Sequence, residues 1–449
     1  MTELVEHRVC EDRISSLPDD LLVKILLCVP TKDAAATTFL SKRWRFVWRM
    51  LPRLNYIETT SDVKSNTVWW FLEESFRFHK APLLERLWID LGPQCPINVN
   101  PVKWVAKARA PPASNVGPPL LDTRVRWLTF RLLWKGEPIR MPKSFYFCKT
   151  LERLTLSDKI LVDVPCQVSL PSLRELDLFC VVYKDEDSHV KLLSSCPVLK
   201  HLKVTRNRRV EDNVRTFRVE VPSLLRLDYK AGMMFREDSD MSDPFLVTDT
   251  PNLLSLHIFD TVGYSLSVWY MPHLVTVVTD ELFPSEKFMR PLSSVKYLAL
   301  SPFDTMVPWC DAVNNYSRLV ECMIHLSEYD LLESLLVLLS KCSKLKVFLV
   351  DSDIPRWNHD PALWNQPSSI PRCLSSHLEI FEWDGYVGRE DEKKIIRYIL
   401  ENSKYLKTAG ISPNSTFSGE EKQKMEELES MHRTPTSVLL SSARMSFRY

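Results

Sequence analysis

Glycine is scarce in this chain, with nine residues in 449. A backbone-lined phosphate loop needs glycine wherever the main chain bends tightly round an anion, so little scope remains for one. Neither G-x-x-x-x-G-K-[ST] nor a helix-opening G-x-G-x-x-G occurs, and Gly263-Tyr-Ser265 lacks the second glycine of a nucleophile elbow. Cysteine pairs are missing as well. The closest two of the eleven cysteines, Cys310 and Cys322, rule out any C-x-x-C, and His-to-His and Cys-to-His spacings do not fit a zinc site. Scattered single cysteines at apolar positions, such as Cys196 and Cys322, read as reduced core residues of an intracellular protein. There is no run of 18 apolar residues, and Met1 to Asp12 carries Glu3, Glu6 and Glu11 instead of an apolar leader. A net charge of +1, from 58 basic and 57 acidic side chains, supplies no global pull toward nucleic acid or anionic membrane. The basic tract Arg206-Asn-Arg208-Arg209 is followed at once by Glu211 and Asp212 and has no interleaved aromatics. The expectation is a chain in cytoplasm or nucleus with no catalytic residues, no metal site and no cofactor.

What is present is a repeat. Leu173-Arg-Glu-Leu176-Asp-Leu178 follows the pattern L-x-x-L-x-L, and Leu199-Lys-His-Leu202-Lys-Val204 repeats it. The alternation at its end predicts a short strand. Between the two, Val190, Leu192 and Leu193 have helical character that stops by Pro197. The same frame begins at residues 84, 125, 151, 173, 199, 224, 253, 274, 295, 319, 345, 378 and 406. Most intervals lie in or near the range of about 20–29 residues for leucine-rich repeats. Two long intervals mark insertions, one at Pro111 to Pro119 and one at Ile354 to Pro371.

The first fifty residues do not fit the repeat. Leu17-Pro18-Asp19-Asp20 starts a helix, with proline tolerated in the first turn and acidic residues at its positive end. Leu21, Leu22, Ile25, Leu26 and Val29 share one face before Pro30. A second short helix is expected over Asp33 to Leu40. Ser41 can cap a third, in which Trp44, Val47 and Trp48 share a face. Three short helices bury little surface alone, so so apolar a unit implies a partner that completes its core.

Asp12-x-Ile14-Ser15-x-Leu17-Pro18-Asp19-x-Leu21-Leu22-x-x-Ile25-Leu26, Pro30-Thr31-Lys32 and Leu40-Ser41-Lys42-Arg43-Trp44-Arg45-x-x-Trp48 together resemble a plant-type F-box. The segments Leu170-Pro-Ser-Leu173, Leu192-Leu-Ser-Ser-Cys-Pro197, Val221-Pro-Ser-Leu224 and Asp249-Thr-Pro-Asn-Leu253 resemble the plant F-box proteins with leucine-rich repeats. Phe381-x-Trp383-x-Gly385, Glu390 to Leu400 and Leu406-Lys407-x-Ala409 resemble the FBD module that closes that family. The resemblance implies docking to the Skp-type adaptor of a cullin–RING ubiquitin ligase. By position, Leu17 and Pro18 would enter the adaptor's pocket, and Leu21, Leu22, Ile25 and Leu26 would lie along its helices. Leu40 and Trp44 would pack in the same unit.

The expected architecture is α/β. A flexible tail (1–12) precedes a three-helix F-box (13–51), a capping segment (52–83) in which Trp69, Trp70, Leu72, Phe76 and Phe78 suggest a helix, an irregular leucine-rich-repeat solenoid (84–364), an FBD region continuing the repeat (365–440) and a last tail (441–449). Strands would line the concave face and short helices the convex face. A further helix is expected over Glu420 to Glu429, and a last strand over Val438 to Leu440. The residues between the apolar positions of each strand turn outward. That row contains Arg153, Glu175, Asp177, His201, Lys203, Arg226, Asp228, His257, Tyr297, Met323 and His325. Its mixed charge suits a protein or peptide target. The functional expectation is a non-catalytic substrate receptor of a ubiquitin ligase. The alternatives are a repeat scaffold unconnected to ubiquitin and a small-molecule receptor using the concave face.

Overall fold

The computed structural model describes residue 14 and residues 16–58, 71–73, 84–93, 95, 125–207, 214, 216–232, 245–260, 266–268, 271–282, 290–302, 315–326, 332–353, 369–413 and 439–441. The first tail, the insertion at 111–119, Trp69, Trp70, Phe76 and Phe78, Gly263 to Ser265, the basic pair Arg208 and Arg209, most of the second insertion and the helix expected at 420–429 lie outside these residues. The chain forms two compact units, Met1–Lys184 with Ser195–Val198, and Asp185–Ser194 with Leu199–Tyr449.

The first unit opens with three helices, α1 (Asp19–Leu26), α2 (Thr31–Ala36) and α3 (Lys42–Arg49), with a 3₁₀ turn at Thr37–Phe39 before α3. Pro18 and Pro30 stand at the N-caps of α1 and α2, so each proline starts a helix. The Ser41 hydroxyl accepts from the Trp44 N–H at 3.4 Å and caps α3. Strands β1 (Arg53–Ile57), β2 (Arg86–Leu91) and β3 (Trp127–Leu132) follow, then β4 (Ile139–Arg140), β5 (Arg153–Asp158), β6 (Ile160–Val162), β7 (Glu175–Phe179) and β8 (Val182–Tyr183). β1, β2, β3, β5 and β7 form one parallel ladder, and β4, β6 and β8 form a small second sheet.

The second unit contains α4 (Ser188–Ser194), β9 (His201–Asn207), β10 (Thr216–Glu220), β11 (Arg226–Gly232), β12 (Phe245–Asp249), β13 (Ser255–Asp260), β14 (Leu266–Val268), β15 (Thr276–Leu282), β16 (Tyr297–Pro302), β17 (Glu321–Leu326), α5 (Leu332–Lys341), β18 (Val347–Ser352), α6 (Arg372–Ser376), β19 (Ile380–Tyr386), α7 (Glu390–Asn402), β20 (Thr408–Pro413) and β21 (Leu439–Ser441). β10, β12 and β14 make a second small sheet. The other strands of this unit pair in chain order, all parallel.

Every frame read from the sequence carries a strand that begins two residues after its first apolar position. Register follows the frame. Leu87 pairs with Leu128, Leu128 with Leu154 and Leu154 with Leu176, so the fourth positions stack into one buried column. In the second unit the column runs through Leu202, Leu227, Leu256, Val277, Leu298, Cys322, Phe348, Phe381 and Ala409. A slip of one residue would turn a whole strand's apolar set into water, at about 1.5–3 kcal/mol per large side chain, so the pattern itself fixes the register. Gly385 has φ +76°, and a Cβ there would collide with the Ser352 carbonyl, so that bulge of β19 requires glycine.

Two features go beyond the sequence pattern. The capping segment contains β1, which continues the repeat one frame toward the N-terminus through Leu51, Leu54 and Tyr56, all buried. Short helices do not serve every repeat: three-stranded sheets of two- to five-residue strands take that place in part of each unit. α7 buries Ile395, Ile396, Ile399 and Leu400, and Trp383 is packed inside beside Phe381.

Candidate functional site

Two surfaces carry the candidate residues. The first is the helical unit. Leu22, Val47 and Trp48 are buried, as are Leu26 and Trp44, so these five form the small core between α1 and α3. Leu21 and Ile25, one position round α1, are 39% and 43% exposed. They are four residues apart on one face, with Leu17 four residues before Leu21. Pro18 is exposed and Leu17 half-buried. The expectation that Leu21, Leu22, Ile25 and Leu26 act as one docking row therefore divides. Leu22 and Leu26 point inward because a helix that packs on its neighbour must spend one stripe of its face on that contact, and Leu21 and Ile25 remain outside. Leu40, expected to pack within the unit, is 67% exposed, while Trp44 does pack there. Phe39 at 89% and Phe46 at 54% exposure belong to the same uncovered apolar set, with Ile14 and Val29. Neither phenylalanine belongs to the motif that resembles an F-box, although Phe39 directly precedes Leu40 in a turn too short to bury two large side chains.

Arg43 fixes the geometry at the front of this unit. Its Nε donates to Asp19 Oδ1 at 2.8 Å and its Nη2 donates to the Leu17 carbonyl, so α3 holds the turn that presents Leu17 and Pro18. Behind it, the Thr31 hydroxyl accepts from the Asn55 N–H at 2.9 Å, tying α2 to β1.

The second surface is the outward face of the strands. In the first unit Arg153 and Glu175 sit on neighbouring rungs and pair with each other at 2.7 Å, with Asp177 half-buried one step along. Trp127, absent from the row read in the sequence, lies under the guanidinium groups of Arg53, Arg86 and Arg153 at 5.7–6.0 Å. In the second unit His201, Lys203, Arg226, Asp228 and His257 come together on β9, β11 and β13. Asp228 Oδ1 lies 3.0 Å from His257 Nδ1, and Arg226 Nε donates to Asp228 Oδ2 at 3.1 Å. Burial pushes the Asp228 carboxyl up, but the hydrogen bonds from His257 and Arg226 outweigh it and hold the pKa below the ordinary value. Farther along, Tyr297 is half-buried and His325 Nδ1 lies 3.1 Å from Asp351 Oδ2. Met323 is not available on this face. It is 8% exposed and packs with Ala299 and Leu349 in an apolar cluster, because its rung neighbours are themselves apolar.

The basic tract also resolves in part. Arg206 is buried: its Nη1 donates to Tyr229 Oη at 3.2 Å, its Nη2 donates to the Val214 carbonyl, and its guanidinium lies 5.7 Å from the Phe217 ring. Among the described residues there is no cluster of three or more potential metal ligands, and no helix is long and apolar enough to cross a membrane.

Parallel strands on leucine-rich frames, preceded by a small helical unit, define a repeat protein with an N-terminal helical module. Comparison with known proteins agrees with that class. The F-box domain profile matches residues 14–56, the leucine-rich repeats of FBD-associated F-box protein At5g56370 match 120–279, and the FBD profile matches 366–411. The chain is 46% identical over 427 residues to the putative FBD-associated F-box protein At1g05080 of Arabidopsis thaliana, covering 91% of this chain and 92% of that protein. It is 44% identical over 465 residues to the putative F-box/FBD/LRR-repeat protein At1g22000 of the same plant, covering 100% and 94%. To the F-box/FBD/LRR-repeat protein At5g56420 it is 37% identical, covering 92% and 94%. The chain belongs to the plant F-box/FBD/LRR-repeat family. F-box domains generally bind Skp-type adaptors, and the combination of F-box with leucine-rich repeats points to a substrate-adaptor role.

Proposed function

We propose that this protein is the substrate-recognition subunit of an SCF-type ubiquitin ligase, working in cytoplasm or nucleus. The helical unit docks on a Skp-type adaptor, and the outward strand face holds a target protein. The carrying observation is the division of the helical unit: Leu22, Leu26 and Trp44 close its core, while Leu21, Ile25, Phe39 and Leu40 stay in water. Large apolar side chains clustered at the surface of so small a unit mark a contact surface that a partner covers. Leu17 and Pro18 enter the adaptor first, and Leu21 and Ile25 extend the contact along α1.

The receptor supplies no catalytic group. It raises the effective concentration of target lysines near a ubiquitin-conjugating enzyme, and proximity alone accelerates the transfer. The buried thiols fit this role. Burial pushes the Cys196 thiol up to about 11 and the Cys95 and Cys373 thiols up to about 12, which keeps each protonated and unsuited to a thioester relay.

The test is a pull-down of the full chain with a Skp-type adaptor. Wild type is retained, and Leu17→Ala with Pro18→Ala loses most of the retained adaptor. Equal retention by the double variant would contradict the docking assignment.

A further inference from the structure

The second unit contains a cavity of about 220 Å³ on the outward face of β9, β11 and β13, walled by Lys203, Arg226, Asp228, Lys230, His257 and Phe259. Its walls come from three consecutive rungs. Lys203, Asp228 and His257 are direct register partners, and Lys230 and Phe259 are the pair two residues farther along β11 and β13. Lys230 and Phe259 lie one step beyond the L-x-x-L-x-L frame, on a strand that continues through Tyr229 and Ala231.

Charge at this cavity is unlike that of the whole chain. Three cations face a single carboxylate, in a protein whose formal net charge is only +1. The one carboxylate is already occupied: Asp228 accepts from Arg226 and lies against His257. No ion pair to Lys203 or Lys230 exists among the described residues, and the Lys230 ammonium rests 5.8 Å from the Phe259 ring. The cavity therefore has an internally neutralised floor and, on its rim, two ammonium groups with no ion pair among the described residues, placed to meet an anionic ligand.

Size decides the class of ligand. Small-molecule sites run to about 300–1,000 Å³, and this cavity is smaller and built from a shallow, continuous strand face. One side chain fits it better than a free cofactor does. We infer that this cavity is a specificity pocket for an anionic side chain, carboxylate or phosphoryl, on a peptide segment of the target. The ammonium groups of Lys203 and Lys230 would take its oxygens, and the Phe259 ring would pack on its aliphatic stem. Lysine suits either anion because it acts as a point charge with rotatable donors, without the fixed fork of arginine. The inference rests on the reading of this face as the target surface.

The experiment is an oriented peptide array probed with the full chain. Each spot fixes one residue, among them Asp, Glu, phosphoserine, phosphothreonine, Asn and Lys, in an otherwise degenerate peptide. The expected result is at least about fivefold stronger binding for an acidic residue than for Asn or Lys at one position, abolished by K203E with K230E and weakened by added salt. Stronger binding in the phosphoserine and phosphothreonine spots assigns the phosphoryl group, and stronger binding in the Asp and Glu spots assigns the carboxylate. No preference for acidic over Asn spots, or a preference that survives the charge reversals, would overturn the inference. The same preparations are tested for adaptor retention. K203E with K230E retains the adaptor if the receptor reading holds, whereas loss of adaptor binding by wild type defeats that reading and leaves the array result standing alone.

Discussion

Arg43 and Asp19 join the third helix of the F-box to the first across 24 positions of sequence, Nε to Oδ1 at 2.8 Å, while the same guanidinium reaches the Leu17 carbonyl. Both side chains of the pair are more than a third exposed, so the pair adds less than about 1 kcal/mol to folding. Its consequence is positional: it sets where Leu17 and Pro18 stand. Arg43→Met is expected to leave the melting temperature within a few degrees of wild type and to weaken adaptor binding by roughly three- to tenfold, about 0.7–1.4 kcal/mol. Calorimetry of both quantities on one preparation checks it.

Leu21 and Leu22 are neighbours in sequence with opposite duties. Leu22 is fully buried, so Leu22→Ala opens a cavity and costs about 2–5 kcal/mol of stability. Leu21→Ala removes a half-exposed side chain and changes stability by no more than about 0.5 kcal/mol. Adaptor affinity should reverse the contrast when each variant is compared at a temperature where it is folded. Denaturant unfolding alongside biolayer interferometry separates the two effects.

His189 makes the second unit acid-sensitive. It is buried, its Nε2 accepts from the Arg218 N–H at 2.9 Å, and its ring stacks on Phe217 at 4.3 Å. Burial, with Arg206 and Arg218 nearby, lowers its pKa from 6.5 to about 4, against the opposing pull of Glu186 and Asp187. The folded state thus binds fewer protons than the unfolded one. The stabilisation is fully present above pH 6.5 and is lost as pH falls toward 4, by about 2 kcal/mol at pH 5. In His189→Gln that part of the decline between pH 7.5 and 5 should vanish from urea unfolding curves.

Glu392 has the opposite sign. Its carboxylate sits at the start of α7, where Oε2 accepts from the N–H groups of Val387, Gly388 and Arg389 at 3.2, 2.9 and 3.0 Å. Burial nevertheless raises its pKa to about 7; those three bonds oppose the rise, and Asp391 adds to it. The folded state binds the proton more tightly, so the contribution is fully present below about pH 4.5 and fades as pH rises through 7. Wild type should lose about 2–3 kcal/mol relative to Glu392→Gln between pH 5 and 8. Parallel pH profiles of the two proteins would contradict this.

Strand positions were legible in the sequence because each repeat contacts only its neighbours, so one local pattern is read again at every rung. Cys322, Phe348 and Ala409 could replace leucine without hiding the frame, since any buried apolar side chain fills the column. β1 escaped because Pro52 interrupts its frame and Tyr56 ends it. The small sheets escaped because strands such as Ile139–Arg140 are too short to show alternation. Alternation placed Met323 outward but could not tell that its neighbours Ala299 and Leu349 are apolar on the same face. Likewise periodicity put Leu21 and Leu22 on one broad face, and only the packing of α1 on α3 separated them.

The central claim is that the uncovered side of α1 is the adaptor contact. Isothermal titration of a Skp-type adaptor into the full chain, wild type against Leu21→Asp with Ile25→Asp, tests it directly. Both substitutions fall on exposed positions, so unfolding curves should match wild type. Affinity is expected to fall at least about a hundredfold, a loss of about 2.7 kcal/mol. Wild-type affinity in a folded double variant would contradict it.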